Sequence, residues 1–335
     1  MKILLICNYR PGVGGISGQV ELLQRHLREE GHTADIFSTK GSALWRLGLF
    51  YRLRKVAKEY DVLHVHCCSD WGFLPAIVGV TVGRRLRRRI VLTYHGGGGE
   101  RFFAKHARLV KHFLTRTDTN IVLSGFLGTL FDKYHLPYTV IPNIIDFDDS
   151  QFRLRESLQP HFICTRSHEV LYNIPCILRA FGTVQATHPE ATLTLIGDGS
   201  EHKALKALSA QLGLHNTTFI GRINNREIFK YLNQADILLS TPEIDNMPVS
   251  LLEAMNVGLL VISTKVGGVP YMINDGVTGL LVDSDDSARL ADLMCWSIEN
   301  PTDAKAIILN ARQEITKYRW EHIKDQLYQS YGLPA

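Results

Sequence analysis

Short apolar runs alternate with longer amphipathic ones along the whole of this 335-residue chain, and that alternation admits few folds. A brief apolar run bounded by polar residues suits a strand buried on both faces. A longer run with its apolar residues on one side suits a helix covering a sheet. Strand and helix repeated in turn build parallel α/β sheets. A first series of strands is expected at Ile3–Cys7, Ala34–Phe37, Val62–Val65, Ile90–Tyr94, Thr119–Leu123 and Tyr138–Ile141. The helix after the first strand runs from about Ser17 to Glu30 and stops at Gly31. Pro142-Asn143 closes this series, and the polar segment Asp146–Ser150 reads as a linker. A second series follows at His161–Thr165, Thr192–Ile196, Thr217–Ile220, Ile237–Leu239, Leu260–Ile262 and Leu280–Val282, with a last helix over about Glu321–Tyr331.

A chain of this length exceeds one typical hydrophobic core, so two domains are expected. Charged residues make up 21% and apolar ones 45%, the balance of a globular protein, and no apolar run reaches the length of a membrane span. The opening Ile3–Cys7 run is too short for a signal peptide and reads as a strand. Six cysteines are scattered with no C-x-x-C spacing, which fits free thiols in a reducing cytoplasm better than disulfides or zinc.

Charge is unevenly divided. Residues 1–150 hold 21 Lys/Arg and 13 Asp/Glu, a balance of +8; residues 151–335 hold 16 and 20, a balance of −4. The basic half contains the run Gly83–Arg89 and, over Trp45–Lys55, aromatic and aliphatic residues interleaved with Arg46, Arg52, Arg54 and Lys55. Together these suit peripheral contact with an anionic membrane; singly, each also reads as a solvated turn or a core-facing helix. No nucleic-acid-binding motif accompanies the charge.

The chemistry concentrates between Asp236 and Gly268. A buried strand leads into a loop holding Asp245, then a helix whose first turn takes Pro248, then Gly258 and another strand. Helix-start amides at Met247, Val249 and Ser250 favour a phosphate, and Asp245 and Glu253 on either side suit sugar hydroxyls. A diphosphate carrying a hydroxyl-rich ring fits that pattern.

The stretch resembles the signature of retaining glycosyltransferases of family 4, which have the GT-B fold. Its marks are two acids eight positions apart, here Asp245 and Glu253, then Ala254-Met255, Gly258, a strand and Val266-Gly267-Gly268. The first acid is usually Glu, so Asp245 is one methylene shorter. The likeness extends, more loosely, over nearly the whole chain. It implies two Rossmann-like doubly wound domains facing across a cleft: residues 1–148, with 317–335 crossing back to them, on the acceptor side, and 149–316 binding the nucleotide-sugar.

The resemblance also carries roles onto individual residues. The glycine-rich loop Gly12–Gly18 lacks both the dinucleotide fingerprint and the P-loop lysine, and alone reads equally as a flexible turn; the family places acceptor and donor diphosphate there, matching Gly14 and Gly15. His95, after a strand and before Gly96–Gly99, matches the histidine near the donor sugar, and the glycines suggest a loop that closes over ligand. No G-x-S-x-G elbow supports an esterase instead. Arg166 matches the arginine that clamps the diphosphate, but the lysine region reads Leu171-Tyr172-Asn173, without a cation. Gly197, Gly221 and Arg222 match segments near the nucleotide, Asn246, Met247 and Val249 contribute mostly backbone, and Glu253 takes the ribose. His64 and His66, on one strand face without a third ligand, read as packing or cleft-lining.

The expected activity is retaining, metal-independent transfer of a hexose-type sugar from a UDP- or GDP-linked donor to a glycan or lipid-linked acceptor. Arg166 and helix amides would stabilise the leaving diphosphate, with no cofactor, in the cytoplasm or at the inner face of the membrane. The same residues also fit a non-catalytic nucleotide-sugar-binding subunit or a nucleotide-sugar epimerase. A dinucleotide-dependent oxidoreductase fits less well, because the fingerprint is broken at Ser17.

Overall fold

The computed structural model describes residues 1–12, 15–42, 48–146, 151–224 and 227–333. They divide into two compact units, Met1–Ile145 with Tyr318–Ala335, and Asp146–Lys317. The linker positions 147–150 lie outside the described residues.

In the first unit, β1 (Lys2–Cys7), β2 (Thr33–Ser38), β3 (Val62–Cys67), β4 (Arg89–Tyr94), β5 (Thr119–Val122) and β6 (Thr139–Val140) form one parallel sheet in the order β2-β1-β3-β4-β5-β6. Ile3 through Cys7 and all of β3 are buried, as uninterrupted apolar runs require when helices cover both faces. The helix Ile16–Glu29 turns Val20, Leu23 and Leu27 inward at helical spacing. Its buried Gln19 is satisfied by backbone: the side-chain amide donates to the Ile144 carbonyl at 3.0 Å, and the Ile144 N–H donates back at 2.9 Å.

The last helix, Trp320–Tyr331, belongs to this unit. The Trp320 indole stacks on His26 with ring centres 5.0 Å apart and donates to Glu30, which Lys324 also engages. Arg89 at the start of β4 donates from Nε to the Ser330 carbonyl at 2.8 Å.

Three of the five arginines of the run Gly83–Arg89 donate to backbone carbonyls. Arg84 Nε donates to the Arg116 carbonyl and Arg88 to the Lys58 carbonyl, while Arg87 sits left-handed at φ 54° to end the helix Leu74–Leu86. Arg84, Arg85 and Arg87 remain exposed. Of the other candidate stretch, positions 45–47 lie outside the described residues. The rest forms the helix Leu49–Ala57, which buries Leu49, Leu53 and Ala57 and exposes Phe50, Tyr51, Arg54 and Lys55.

The second unit repeats the plan. β7 (His161–Cys164), β8 (Thr192–Ile196), β9 (Thr217–Gly221), β10 (Ile237–Ser240), β11 (Leu260–Thr264) and β12 (Leu280–Val282) order as β12-β11-β10-β7-β8-β9, all parallel. The chain steps outward from β7 to β8 and β9, then returns to lay β10 on the other side of β7. Neighbouring connections therefore leave in opposite directions at the β7–β10 boundary and open a crevice at the strands' carboxyl ends.

The helix Val249–Asn256 buries Leu251, Leu252 and Met255. Gly258, at φ +82°, ends it: its N–H reaches the Met255 carbonyl and the Leu259 N–H reaches Ala254, a paired closure that needs the left-handed conformation. Pro248 sits one position earlier than its sequence suggests. It is the capping residue, with extended ψ of 115°, and Val249 is the first helical residue. The fixed φ of proline suits either place.

Candidate active site

At the crevice of the second unit, Arg166 lies just beyond β7 and Asp245 in the loop after β10. The Arg166 Nη2 donates to Asp245 Oδ2, and Nη1 donates to Ser250 Oγ at 3.1 Å. The guanidinium lies over the Tyr172 ring, 4.2 Å from its centre. Its Nε is buried with no hydrogen-bond partner among the described residues. Glu253, half-buried one turn further along the helix, has its carboxyl pushed up to about 7 by burial, against the pull of Arg166. The structure thus brings Arg166, Asp245 and Glu253 into one group, beside the helix start at Val249 and Ser250, whose N–H groups precede the first intrahelical bonds.

Two glycine motifs hold this group by backbone contact. A Cβ on Gly267, which sits at φ +53°, would lie 1.9 Å from the Asp245 carbonyl oxygen, and the Gly268 N–H donates to that same oxygen at 3.0 Å. The Val266-Gly-Gly motif is therefore the seat of Asp245. Likewise a Cβ on Gly197, at φ +151°, would lie 2.1 Å from the Arg166 carbonyl, and one on Gly199 would lie 2.3 Å from that of His168. Only residues without a side chain allow these approaches. The Gly197 N–H donates to Gly221, which itself takes φ +80°. Asn246 and Met247 are buried, Val249 is half-buried, and Arg222 is exposed. The Asn246 N–H donates to Asp245 Oδ1 at 2.8 Å, fixing the carboxylate's second oxygen.

The missing lysine is not replaced at its own position. Asn173, left-handed at φ 40°, donates to Asp285, which also pairs with Arg179. Sequence reasoning missed two contacts of the arginine, the Ser250 hydroxyl and the Tyr172 ring. Ser250 lies far from it in the chain, Tyr172 reads in the sequence only as a position without a cation, and no spacing rule marks either. It also missed a pair in which buried His168 Nδ1 stands 2.8 Å from His202 Nδ1; burial, with His202 adding to it, holds His168 down to about 4.

In the first unit, His95 follows β4 and its N–H donates to the Cys67 carbonyl at 2.8 Å. Its Nε2 shares a 3.0 Å hydrogen bond with His66 Nδ1, and the His66 ring lies 4.2 Å from that of His64, tilted by 34°. His64 is bonded at both nitrogens, to the Tyr331 hydroxyl and to Thr93 Oγ1, each at 2.8 Å. Burial lowers His95 to about 4 and His64 to about 3, and depresses His66 well below its ordinary value. These imidazoles are neutral at pH 7, so His95 acts there as a hydrogen-bonding group and not as a cation. Among the described residues no group of three or more His, Cys, Asp or Glu is arranged to hold a metal ion. Two of the glycines after His95 answer to packing: a Cβ on Gly96 would lie 2.8 Å from the Tyr94 hydroxyl, and one on Gly99 would lie 2.6 Å from Leu130. Gly15 precedes the helix Ile16–Glu29 at φ 68°, and Gly14 lies outside the described residues.

This double α/β plan is that of GT-B glycosyltransferases. Residues 151–314 match the family model described as Glycosyl transferases group 1, and residues 13–149 match Glycosyltransferase Family 4. The chain is 24% identical to the N-acetyl-alpha-D-glucosaminyl L-malate synthase of Bacillus anthracis, over 99% of this chain and 93% of that protein. Its fold is similar to that of Anabaena Alr3699/HepE, solved in complex with UDP-glucose, with a TM-score of 0.81, 20% identity and 99% of each chain covered. Sucrose-phosphate synthase from Thermosynechococcus elongatus is similar at a TM-score of 0.81 and 20% identity, covering 99% of this chain and 98% of that one. The chain belongs to the family 4-type glycosyltransferases.

Proposed function

We propose that this protein is a retaining, metal-independent hexosyltransferase that takes its sugar from a UDP-linked donor and passes it to a glycan or lipid-linked acceptor. The observation that carries this reading is the convergence of Arg166, Asp245 and Glu253 beside the first turn of the helix Val249–Asn256. Similarity to a protein solved with UDP-glucose supports uridine before guanosine.

In this reading Arg166 and the helix amides hold the diphosphate, Glu253 accepts from the ribose hydroxyls, and Asp245 accepts from the donor sugar. Gly197, Gly221 and Arg222 stand on the nucleotide side. Gly14, Gly15 and His95 keep the acceptor, diphosphate and donor-sugar roles that the family resemblance implies for them. The bond from the anomeric carbon to the β-phosphate oxygen breaks as the acceptor oxygen bonds to that carbon on the same face. The departing phosphate oxygen takes the acceptor proton. Positive charge and amide dipoles aimed at the leaving oxygen lower the barrier.

A thermal-shift panel of UDP, GDP, ADP and their sugars tests the reading, because ligands of the native state raise its melting temperature. UDP and a UDP-sugar are expected to stabilise; no shift with any nucleotide would end the reading. Donor binding without transfer or hydrolysis would instead indicate a non-catalytic binding subunit.

Glu253 makes the donor affinity pH-dependent. Its carboxyl keeps its proton to about pH 7 in the free protein, whereas the ribose diol needs the carboxylate. Affinity for the nucleotide-sugar should therefore rise about tenfold from pH 6 to pH 8. In Glu253→Gln it should be weaker and flat. Stability of the unliganded protein runs the other way. Between the ordinary carboxyl pKa and about 7 the native state holds a proton that the unfolded state has released, so this contribution is lost as pH rises through 7. Calorimetric titration at the two pH values decides it; a wild-type affinity that does not change with pH would remove Glu253 from the ribose.

Peripheral contact with an anionic bilayer enters through the exposed Phe50, Tyr51, Arg54 and Lys55 of the helix Leu49–Ala57. Aromatic rings beside basic groups suit the headgroup region. The protein is expected to sediment with phosphatidylserine vesicles at low salt, and Tyr51→Ser/Arg54→Glu to remain in solution; equal recovery of both would rule the contact out.

A further inference from the structure

The family's phosphate-binding lysine is absent, yet the arginine that remains is unusually well held. Val170-Leu171-Tyr172 forms a short 3-10 turn after Arg166. Within this apolar triplet Val170 and Leu171 face solvent, at 65% and 42% exposure, while Tyr172 turns inward against the core of the second unit. Its ring receives the Arg166 guanidinium at 4.2 Å. The turn is tied to the loop that carries Asp245: Thr241 Oγ1 donates to the carbonyls of Tyr172 and Asn173, and the Glu243 N–H donates to Leu171. Asp245, Ser250 and Tyr172 thus grip the guanidinium from two edges and one face, and Nε is the nitrogen left with no partner.

We propose that Tyr172 is a positioning residue of the donor site. Its ring face fixes the plane of the Arg166 guanidinium, and with it the direction in which the cation meets the diphosphate, a task other members of the family share with a lysine. The inference rests on the donor reading above. The physical cause is the attraction of a cation to the negative face of an aromatic ring, strongest where water is excluded.

The test replaces Tyr172 with phenylalanine and then with mono-, di- and trifluorophenylalanine, which keep the shape and withdraw charge from the face. Binding of UDP is read by calorimetry and donor KM and kcat by initial rates. Phenylalanine should retain binding, each fluorine should weaken it further, and Tyr172→Leu should lose about five- to tenfold, mainly in donor KM. Tyr172→Leu in an Arg166→Ala background should add nothing. Affinity indifferent to fluorination overturns the inference, and so does an undiminished leucine effect without Arg166. Should the leucine variant not fold, the fluorinated series, nearly isosteric, carries the decision alone. A wild-type protein that binds none of UDP, GDP or ADP overturns the donor reading and this inference with it.

Discussion

Asp245→Asn is expected to move two affinities in opposite directions: UDP alone should bind about tenfold more tightly, while sugar transfer should fall about a hundredfold or more. In the unliganded protein the Asp245 carboxylate neutralises the arginine that is meant for the diphosphate. Both side chains are mostly shielded from solvent, at 11% and 20% exposure, so screening by water is limited. A unit-charge pair at contact is worth up to about 4 kcal/mol at the effective dielectric near a protein surface, and an incoming phosphate must compete with it. Asparagine keeps an oxygen for the Asn246 N–H but removes the charge, so Arg166 is left for the phosphate. The donor sugar loses a charge-assisted acceptor, and such bonds are about twice as strong as neutral ones. Calorimetry with UDP beside initial rates of transfer separates the effects. Weaker or unchanged UDP binding would show that the pair does not restrain Arg166 in solution, and undiminished transfer would free Asp245 of any role on the sugar.

Arg166→Ala should lower kcat/KM by about 10³-fold and abolish measurable binding of the diphosphate. The loss goes beyond one cation. Without it, the Asp245 carboxylate faces the phosphates uncompensated, and Asn173, in the lysine region, is committed to Asp285. Arg166→Lys should recover part of the rate, since it restores charge but not the planar fork that meets Asp245 and Ser250 together. Activity within tenfold of wild type in the alanine variant would mean that the phosphates are held elsewhere. Melting temperatures of both variants show whether the loss lies in the site or in folding.

Much of the fold was readable because it depends on a period. The strands Thr192–Ile196 and Leu280–Val282 fall where their apolar runs predict, and the others differ by a residue or two at their ends. The acids flanking a helix start were readable too, since Asp245 and Glu253 lie on one continuous stretch. The arginine's partners were not: Arg166 meets Asp245 from 79 residues away and Ser250 from 84. Nor was the use of the glycines, because a Cβ clash with a carbonyl exists only once two loops are side by side. The basic run Gly83–Arg89 shows the converse. Its composition suggested contact with an anionic surface, and three of its five arginines also donate to carbonyls on adjoining elements.

The order of residues alone determined two parallel α/β units and the stretch on which the donor chemistry depends, because hydrophobic period and helix-start chemistry are local properties of a chain. The tertiary structure decided how Arg166 is held: neutralised by Asp245, bonded to Ser250 and lying on Tyr172 in place of a second cation. Those contacts arise where β10 returns beside β7, and no local property of the chain states which loops that return brings together.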